Sequence, residues 1–320
     1  MALRFGIVGC GMIGQLYAER LRAQGHEVAA ACDPDIARAC RAAAVAFADH
    51  CEMFASGAID VACVCSPTPY HHRAVMDAAA AKLDVFLEKP MAVTLAEARE
   101  MSLAMTAAKR RLGFGLKMRF EAVFAAAFAL IEEGAIGRPQ FGSYSFYQPV
   151  PPGKRIWYAD VGVLRDMLVH VFDLSAWMLG QEPRRVRART ARRIGRAGED
   201  HALIELEYSD EALASIQGGY VPGFPEVAGR EDIVFQVVGE RGYLVGKRPD
   251  TLLVVNREGT RTVPVTPVDA FAAELSAFTA ALASGVPLPV SDRDGLRAQA
   301  VIDAAECSAG VGGAMIEVAS

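Results

Sequence analysis

No apolar run in this 320-residue chain approaches the roughly 18 residues that a membrane-spanning helix requires, so no membrane partner is expected. The first residues carry no basic n-region, no uninterrupted apolar h-region and no small-residue cleavage site, because glycines break the apolar stretch there. Positive charge is not in excess: 33 Lys and Arg stand against 38 Asp and Glu, a formal net charge of −5, which argues against a nucleic-acid partner. The seven cysteines, at 10, 32, 40, 51, 63, 65 and 307, include no C-x-x-C pair and no zinc-ligand spacing. Most lie in apolar segments, and Cys63 and Cys65 alternate along a strand toward one face. They read as buried, reduced thiols of a cytoplasmic protein, and no metal site is visible. Internal repeats and low-complexity linkers are also missing. What remains is an ordinary globular composition, 52% hydrophobic and 22% charged, in a chain long enough for two domains with their own cores.

The N-terminus carries the strongest positive signal. Residues 3–8 form an apolar run, Gly9, Gly11 and Gly14 follow in G-x-G-x-x-G order, and a helix-like stretch begins at Met12 and Ile13. Gly9 permits a tight turn, Gly11 lets bare backbone approach a pyrophosphate, and Gly14 allows close helix–strand packing. The following helix would aim its N-terminal N–H groups at the phosphates. A second apolar run ends in Asp33, nineteen residues after Gly14, where a carboxylate meets the ribose hydroxyls and favours NAD over NADP. Arg38, about one helical turn away, leaves NADP possible. Taken alone, three glycines also suit an α/β turn that binds nothing.

Up to residue 118 the pattern is α/β. Strand-like runs alternate with helical stretches at 12–24, 34–44, 71–82 and 94–110, which predicts a doubly wound parallel Rossmann sheet. Asp33-Pro34 resembles a cap followed by proline at the first helical position, and Thr94-x-x-Glu97 a capping box. Residues 119–320 read as a second, α+β domain. Helical stretches near 121–134, 162–179, 268–284 and 292–309 flank seven strand-like segments in succession, which predicts a large open, mainly antiparallel sheet with helices on one face. Its other face needs a cover, and a second copy of the chain, as a homodimer or homotetramer, is the simplest. The basic run at 184–196 alternates along a strand and reads as a solvated face.

Three further stretches carry chemistry. Ser66, Pro67 and Thr68 follow a strand whose carboxyl end would face the cofactor crevice, and His71 opens the next helix, as a contact or only as a polar helix start. Glu88-Lys89-Pro90 follows another strand, so Lys89 points into the same crevice. In GVLRDMLVHVFDLSAWMLG, read as a helix, Asp166 and His170 share a face that Asp173 and Trp177 continue. Removing hydride from a carbinol also requires the hydroxyl proton to leave. Histidine suits that task near neutral pH, and a lysine can stabilise the alkoxide. A lone helical histidine serves structure as readily as catalysis.

GIVGCGMIG with Asp33, SPTPYH, EKP and D-x-x-x-H together resemble the glucose–fructose oxidoreductase, inositol dehydrogenase and rhizopine-catabolism (Gfo/Idh/MocA) family over nearly the whole chain. The resemblance implies an NAD-dependent oxidoreductase moving hydride between nicotinamide and a hydroxyl or ketone carbon of a small molecule: a sugar, cyclitol or sugar acid. It makes His170 the general acid/base, Lys89 its electrostatic partner and Asp166 the residue that orients substrate or tunes its neighbours. It also sets residues 66–68 and Glu88 on the nicotinamide side. An NAD-dependent glycoside hydrolase working through transient oxidation is an alternative, as is a non-catalytic NAD-binding regulator, against which the joint retention of Lys89, Asp166 and His170 argues.

The chain departs from the family pattern twice. Lys117 stands where G-x-N-x-R-F has asparagine, and Leu168 where glycine is common. Lys117, Arg119, Lys154, Arg155 and Arg165 would make the substrate side basic and favour a carboxylate-bearing substrate. Trp157 would stack on a sugar ring or anchor its loop.

Overall fold

Strand and helix alternate through the N-terminal half of the computed structural model, which describes residues 2–150, 161–195, 197–222 and 232–319. The order is β1 (Arg4–Val8), α1 (Met12–Ala23), β2 (Glu27–Cys32), α2 (Ile36–Ala42), β3 (Ala46–Phe47), α3 (His50–Ala55), β4 (Val61–Val64), α4 (His71–Ala80), β5 (Asp84–Glu88), α5 (Leu95–Ala107) and β6 (Leu112–Gly115). The six strands pair in parallel in the order β3-β2-β1-β4-β5-β6. The chain thus winds outward from β1 in both directions, and a crevice opens at the carboxyl ends of β1 and β4, where the order reverses.

Two details of helix capping separate expectation from structure. The capping box forms: Thr94 Oγ1 accepts from the Glu97 N–H, while Glu97 Oε2 accepts from the N–H of Val93, one residue earlier than the usual partner. Asp33, however, is not the cap of α2. That role belongs to Asp35, whose Oδ1 accepts from the Ala37 N–H. The Asp33 carboxylate is engaged elsewhere, by the N–H groups of Cys10 and Asp35. The two-residue β3 was not anticipated, because so short an edge strand leaves no periodicity to read.

The second half contributes α6 (Ala122–Glu132), β7 (Pro139–Pro149), α7 (Val169–Leu179), β8 (Pro183–Ala191), β9 (His201–Tyr208), β10 (Leu213–Val221), β11 (Asp232–Gly239), β12 (Gly242–Lys247), β13 (Thr251–Asn256), β14 (Gly259–Thr262), α8 (Ala270–Ser284), α9 (Asp292–Gly310) and β15 (Ile316–Glu317). A nine-stranded sheet runs β14-β13-β12-β11-β7-β10-β9-β8-β15. It is antiparallel except for the parallel pair β7 and β10. Alternation fixes its faces: Ile204, Leu206, Ile216, Ile233 and Phe235 are buried, while Leu203, Leu213 and Val234 are exposed. Phe124 of α6 packs on Phe235 at 5.2 Å between ring centroids. Two arginines of β8 are answered across the sheet, Arg185 by Glu207 and Arg187 by Glu205, so this part of the run is a solvated, charge-paired face. Among the described residues no helix is long and apolar enough to cross a membrane.

The chain divides into two compact units, residues 1–117 with 269–299, and residues 118–268 with 300–320. A single cut at 118 assigns α8 and the start of α9 to the second domain, whereas their contacts return them to the first. Leu275 and Phe278 of α8 join the core of Phe5, Ile7, Tyr17, Leu21 and Phe86, with Phe278 edge-on to Phe86 at 5.2 Å. Each such buried side chain stabilises its unit by about 1.5–3 kcal/mol. Amphipathic periodicity reveals a helix but not which sheet it covers.

Candidate active site

In the first unit, the glycine loop joins β1 to α1 with a distinct constraint at each position. Gly9 has φ +87°, and a Cβ there would sit 2.5 Å from the Ser66 backbone nitrogen. A Cβ on Gly14 would come within 2.0 Å of the Gly9 carbonyl oxygen. A Cβ on Gly11 would meet nothing within 4 Å, and Gly11 caps α1 without any side-chain hydrogen bond. Met12 begins α1 exposed, and Ile13 packs against the core. The Asp33 carboxylate beside the loop is oriented by the Cys10 N–H at 2.9 Å. At the end of β4 the Ser66 hydroxyl is buried without a hydrogen-bond partner among the described residues. Open space over Gly11, a helix N-terminus without a side-chain cap, an oriented carboxylate and an unsatisfied hydroxyl fit a dinucleotide.

His71, a candidate cofactor contact from sequence, faces inward instead. It is 1% exposed, with Nε2 2.7 Å from the Ser66 carbonyl oxygen and Nδ1 3.0 Å from that of Pro90. It therefore ties the loop carrying Pro67 and Thr68 to the segment following Lys89, and burial pushes its pKa below the usual histidine value. Glu88 also turns inward. Its Oε2 accepts from the Lys89 N–H at 2.9 Å, and its Oε1 lies 2.7 Å from the Tyr17 hydroxyl. That hydroxyl lies 2.6 Å from Glu274 Oε1 as well. The Lys117 ammonium stands 5.3 Å from the centre of the Phe271 ring and favours the charged forms of both Glu88 and Glu274. The lysine that replaces the family's asparagine thus has a half-buried acid, Glu88, and a buried one, Glu274, for neighbours.

In the second unit, residues 162–179 do not form one uniform helix. A π-helical turn, Leu164–Leu168, precedes α7, and such wide turns recur at functional sites. Asp166 and His170 are both buried here. Asp166 Oδ2 accepts from the Tyr220 hydroxyl at 2.7 Å and from Gln148 Nε2 at 3.3 Å, so the sheet fixes the plane of the carboxylate. The expected common face splits after this turn. Asp173 forms a buried bidentate pair with Arg119, whose Nε donates at 2.7 Å and whose terminal nitrogen donates to Asp173 Oδ1. Trp177 lies under the same guanidinium at 5.4 Å and stacks on Phe128 at 4.0 Å. Arg119, expected at the substrate, is therefore buried against Asp173. Arg165 is paired with Glu306 at 2.6 Å. Lys154, Arg155 and Trp157 lie outside the described residues. Leu168, the second departure, is fully buried over Gly218, where a Cβ would come within 2.7 Å of its Cδ2, so it fills core space.

Sequence reasoning missed Tyr17, Glu274, Gln148 and Tyr220. Glu274 had left a signal, as a single acid inside the apolar run AFAAELSAF; the others depend on pairing between distant elements. His50, Cys51 and Asp77 also come close enough to offer ligand atoms to one metal ion, although the Arg73 guanidinium 3.5 Å from Asp77 disfavours a cation there.

The fold and its nucleotide end define an NAD-binding oxidoreductase. Residues 3–116 match the model of an oxidoreductase family with an NAD-binding Rossmann fold, and residues 124–245 match the C-terminal domain of the same family. The chain belongs to the Gfo/Idh/MocA family. It is 28% identical to the inositol 2-dehydrogenase of Rhizobium meliloti, covering 95% of this chain and 96% of that one. It is also 28% identical to the myo-inositol 2-dehydrogenase of Thermotoga maritima, covering 92% of each. An Agrobacterium radiobacter oxidoreductase, solved with NAD+, L-tartaric acid and magnesium, shares the fold over 99% of both chains with a TM-score of 0.92 at 24% identity.

Proposed function

We propose that the protein oxidises a secondary hydroxyl of a cyclitol or sugar in the cytoplasm, with Lys89, Asp166 and His170 acting on the substrate. The observation that carries this reading is the buried Asp166–His170 turn held by Tyr220 and Gln148, in a chain similar to two inositol dehydrogenases along nearly their full length. The His170 imidazole takes the hydroxyl proton. The Lys89 ammonium stabilises the alkoxide that remains, and Asp166, fixed in plane, orients the substrate. NAD, when bound, supplies the hydride acceptor. Gly9, Gly11, Gly14 and residues 66–68 hold it, and Asp33 selects the ribose hydroxyls. Because Arg119 and Arg165 are paired internally, a neutral polyol fits better than a sugar acid.

A panel of cyclitols, aldoses and sugar acids with NAD and NADP, followed by the absorbance of reduced cofactor, tests this. NAD-linked turnover of a neutral cyclitol or sugar is expected; turnover of sugar acids alone would remove the neutral-polyol reading. In Asp33→Ala the KM for NAD should rise about tenfold, the equivalent of about 1.4 kcal/mol, with a smaller change for NADP. Equal losses would discount the ribose contact.

The outward face of the nine-stranded sheet, with Leu203, Leu213 and Val234 exposed, is assigned to a second copy of the chain. Sedimentation velocity should show a dimer or tetramer that Leu203→Glu with Val234→Glu dissociates. A wild type that sediments as a monomer would remove the assignment.

A further inference from the structure

The hydrogen-bond count at Tyr17 does not close with ordinary charges. Its hydroxyl lies 2.6 Å from Glu274 Oε1 and 2.7 Å from Glu88 Oε1, both within the range of true O–H···O bonds. A phenol carries one proton and can donate to only one of these acids. The second contact therefore needs a proton that the other acid brings. The two acids are not equivalent. Glu88 Oε2 accepts from the Lys89 N–H at 2.9 Å; burial raises its pKa, but the charges of Lys89 and Lys117 and the Tyr17 hydrogen bond oppose that rise. Glu274 is 2% exposed, and its Oε2 is buried with no hydrogen-bond partner among the described residues. An ionised Glu274 would leave a charged oxygen unsolvated, which is costly.

We infer that Glu274 remains protonated through neutral pH and donates to the Tyr17 oxygen while Tyr17 donates to Glu88, which makes Tyr17 and Glu274 positioning residues that hold Glu88 as a carboxylate beside Lys89. The inference rests on the reading of Lys89 as the substrate lysine.

The surrounding charges agree with this placement. Lys89 and Lys117 both favour the charged form of Glu88, Lys89 the more strongly. Asp269, the N-cap of α8, faces Glu274 with a charge of the same sign and is itself paired with Arg20 at 2.6 Å. Cys65, just beyond the end of β4, is a half-buried thiol that burial pushes well above its usual pKa, and it faces Tyr17 electrostatically. Burial and the neighbouring Glu88 hold the Glu274 pKa well above the ordinary carboxylate value, against the opposing effects of Tyr17 and Lys117. Of the two alternative states of equal charge, the tyrosinate is disfavoured because burial raises the Tyr17 pKa; the other is reached when the Glu274 proton moves to Tyr17 and the Tyr17 proton moves to Glu88. Charge balances, but the unpartnered Glu274 Oε2 disfavours that state.

Infrared difference spectra of the intact protein near pH 7 test the placement without substrate. The carbonyl stretch of a buried neutral carboxylic acid should be present in the wild type, disappear in Glu274→Gln, which is isosteric with the neutral acid, and persist in Glu88→Gln. A wild type without that band, or a band that only Glu88→Gln removes, overturns the inference. In Tyr17→Phe, Glu88 loses a donor that favours its charged form, so the acidic limb of the kcat/KM profile should move up by about one pH unit. A profile superimposable on the wild type overturns the positioning role. The spectra read the chain whether or not any polyol turns over, so failure here is distinguishable from failure of the Lys89 reading.

Discussion

His170→Ala is expected to lower kcat on the best polyol by about 10²–10⁴-fold, the usual contribution of a positioned general base. NAD affinity should be nearly unchanged, because the nucleotide elements lie in the other compact unit. Lys89→Ala should cause a loss of similar size through the missing stabilisation of the alkoxide. The two variants should separate in their pH dependence. With the imidazole gone, hydroxide replaces the missing base, so residual His170→Ala activity should climb steadily with pH. Tyr220→Phe should cost about tenfold, since Asp166 loses its 2.7 Å donor but keeps Gln148, and a hydrogen bond to a charged group contributes about 1.5–3 kcal/mol. Steady-state kinetics with NAD titrated by fluorescence would check all three. A His170→Ala enzyme with near wild-type kcat would sink the assignment of roles.

The legible parts of this protein were those written in local sequence. The glycine fingerprint, the alternation of strands and helices, the Thr94 box and the succession of β-forming segments each depend on residues within a few positions of one another. The structure has them with small shifts in boundaries. Where reading failed, a distant partner decided. Asp33 had the sequence context of an N-cap, but the Cys10 N–H, 23 residues away in sequence, claims its carboxylate. Helix 162–179 had an uninterrupted periodic pattern, yet it opens with a π turn that directs Asp166 toward Tyr220 of β10 and leaves Asp173 to Arg119. The two departures from the family pattern looked like substrate determinants because they flank functional motifs. Burial gives them other work: Leu168 fills the space over Gly218, and Lys117 balances Glu88 and Glu274. Two members of the basic cluster counted along the chain, Arg119 and Arg165, are likewise matched with acids of their own unit, Asp173 and Glu306.

The Arg119–Asp173 pair carries the largest stability effect expected outside the glycine loop. Both side chains are nearly inaccessible, so Asp173→Ala would leave a guanidinium buried over Trp177 with its main counter-charge gone. Removing one partner of a buried pair costs about 3–5 kcal/mol, whereas replacing both with apolar groups of similar size is often close to neutral. Asp173→Leu combined with Arg119→Met should therefore recover much of the loss seen in Asp173→Ala. Urea denaturation followed by tryptophan fluorescence would report it. Trp177 stacks on Phe128 beneath the guanidinium, and the chain's only other tryptophan is Trp157, so a Trp157→Phe background isolates the signal. A cost below about 1 kcal/mol for Asp173→Ala is the range of exposed pairs and would rule out a buried structural ion pair. The same variants settle how Arg119 functions. If it touched substrate, Arg119→Met would raise KM at unchanged stability; as a partner of Asp173 it should lower stability while KM holds, because its Nε and one terminal nitrogen already point at the carboxylate.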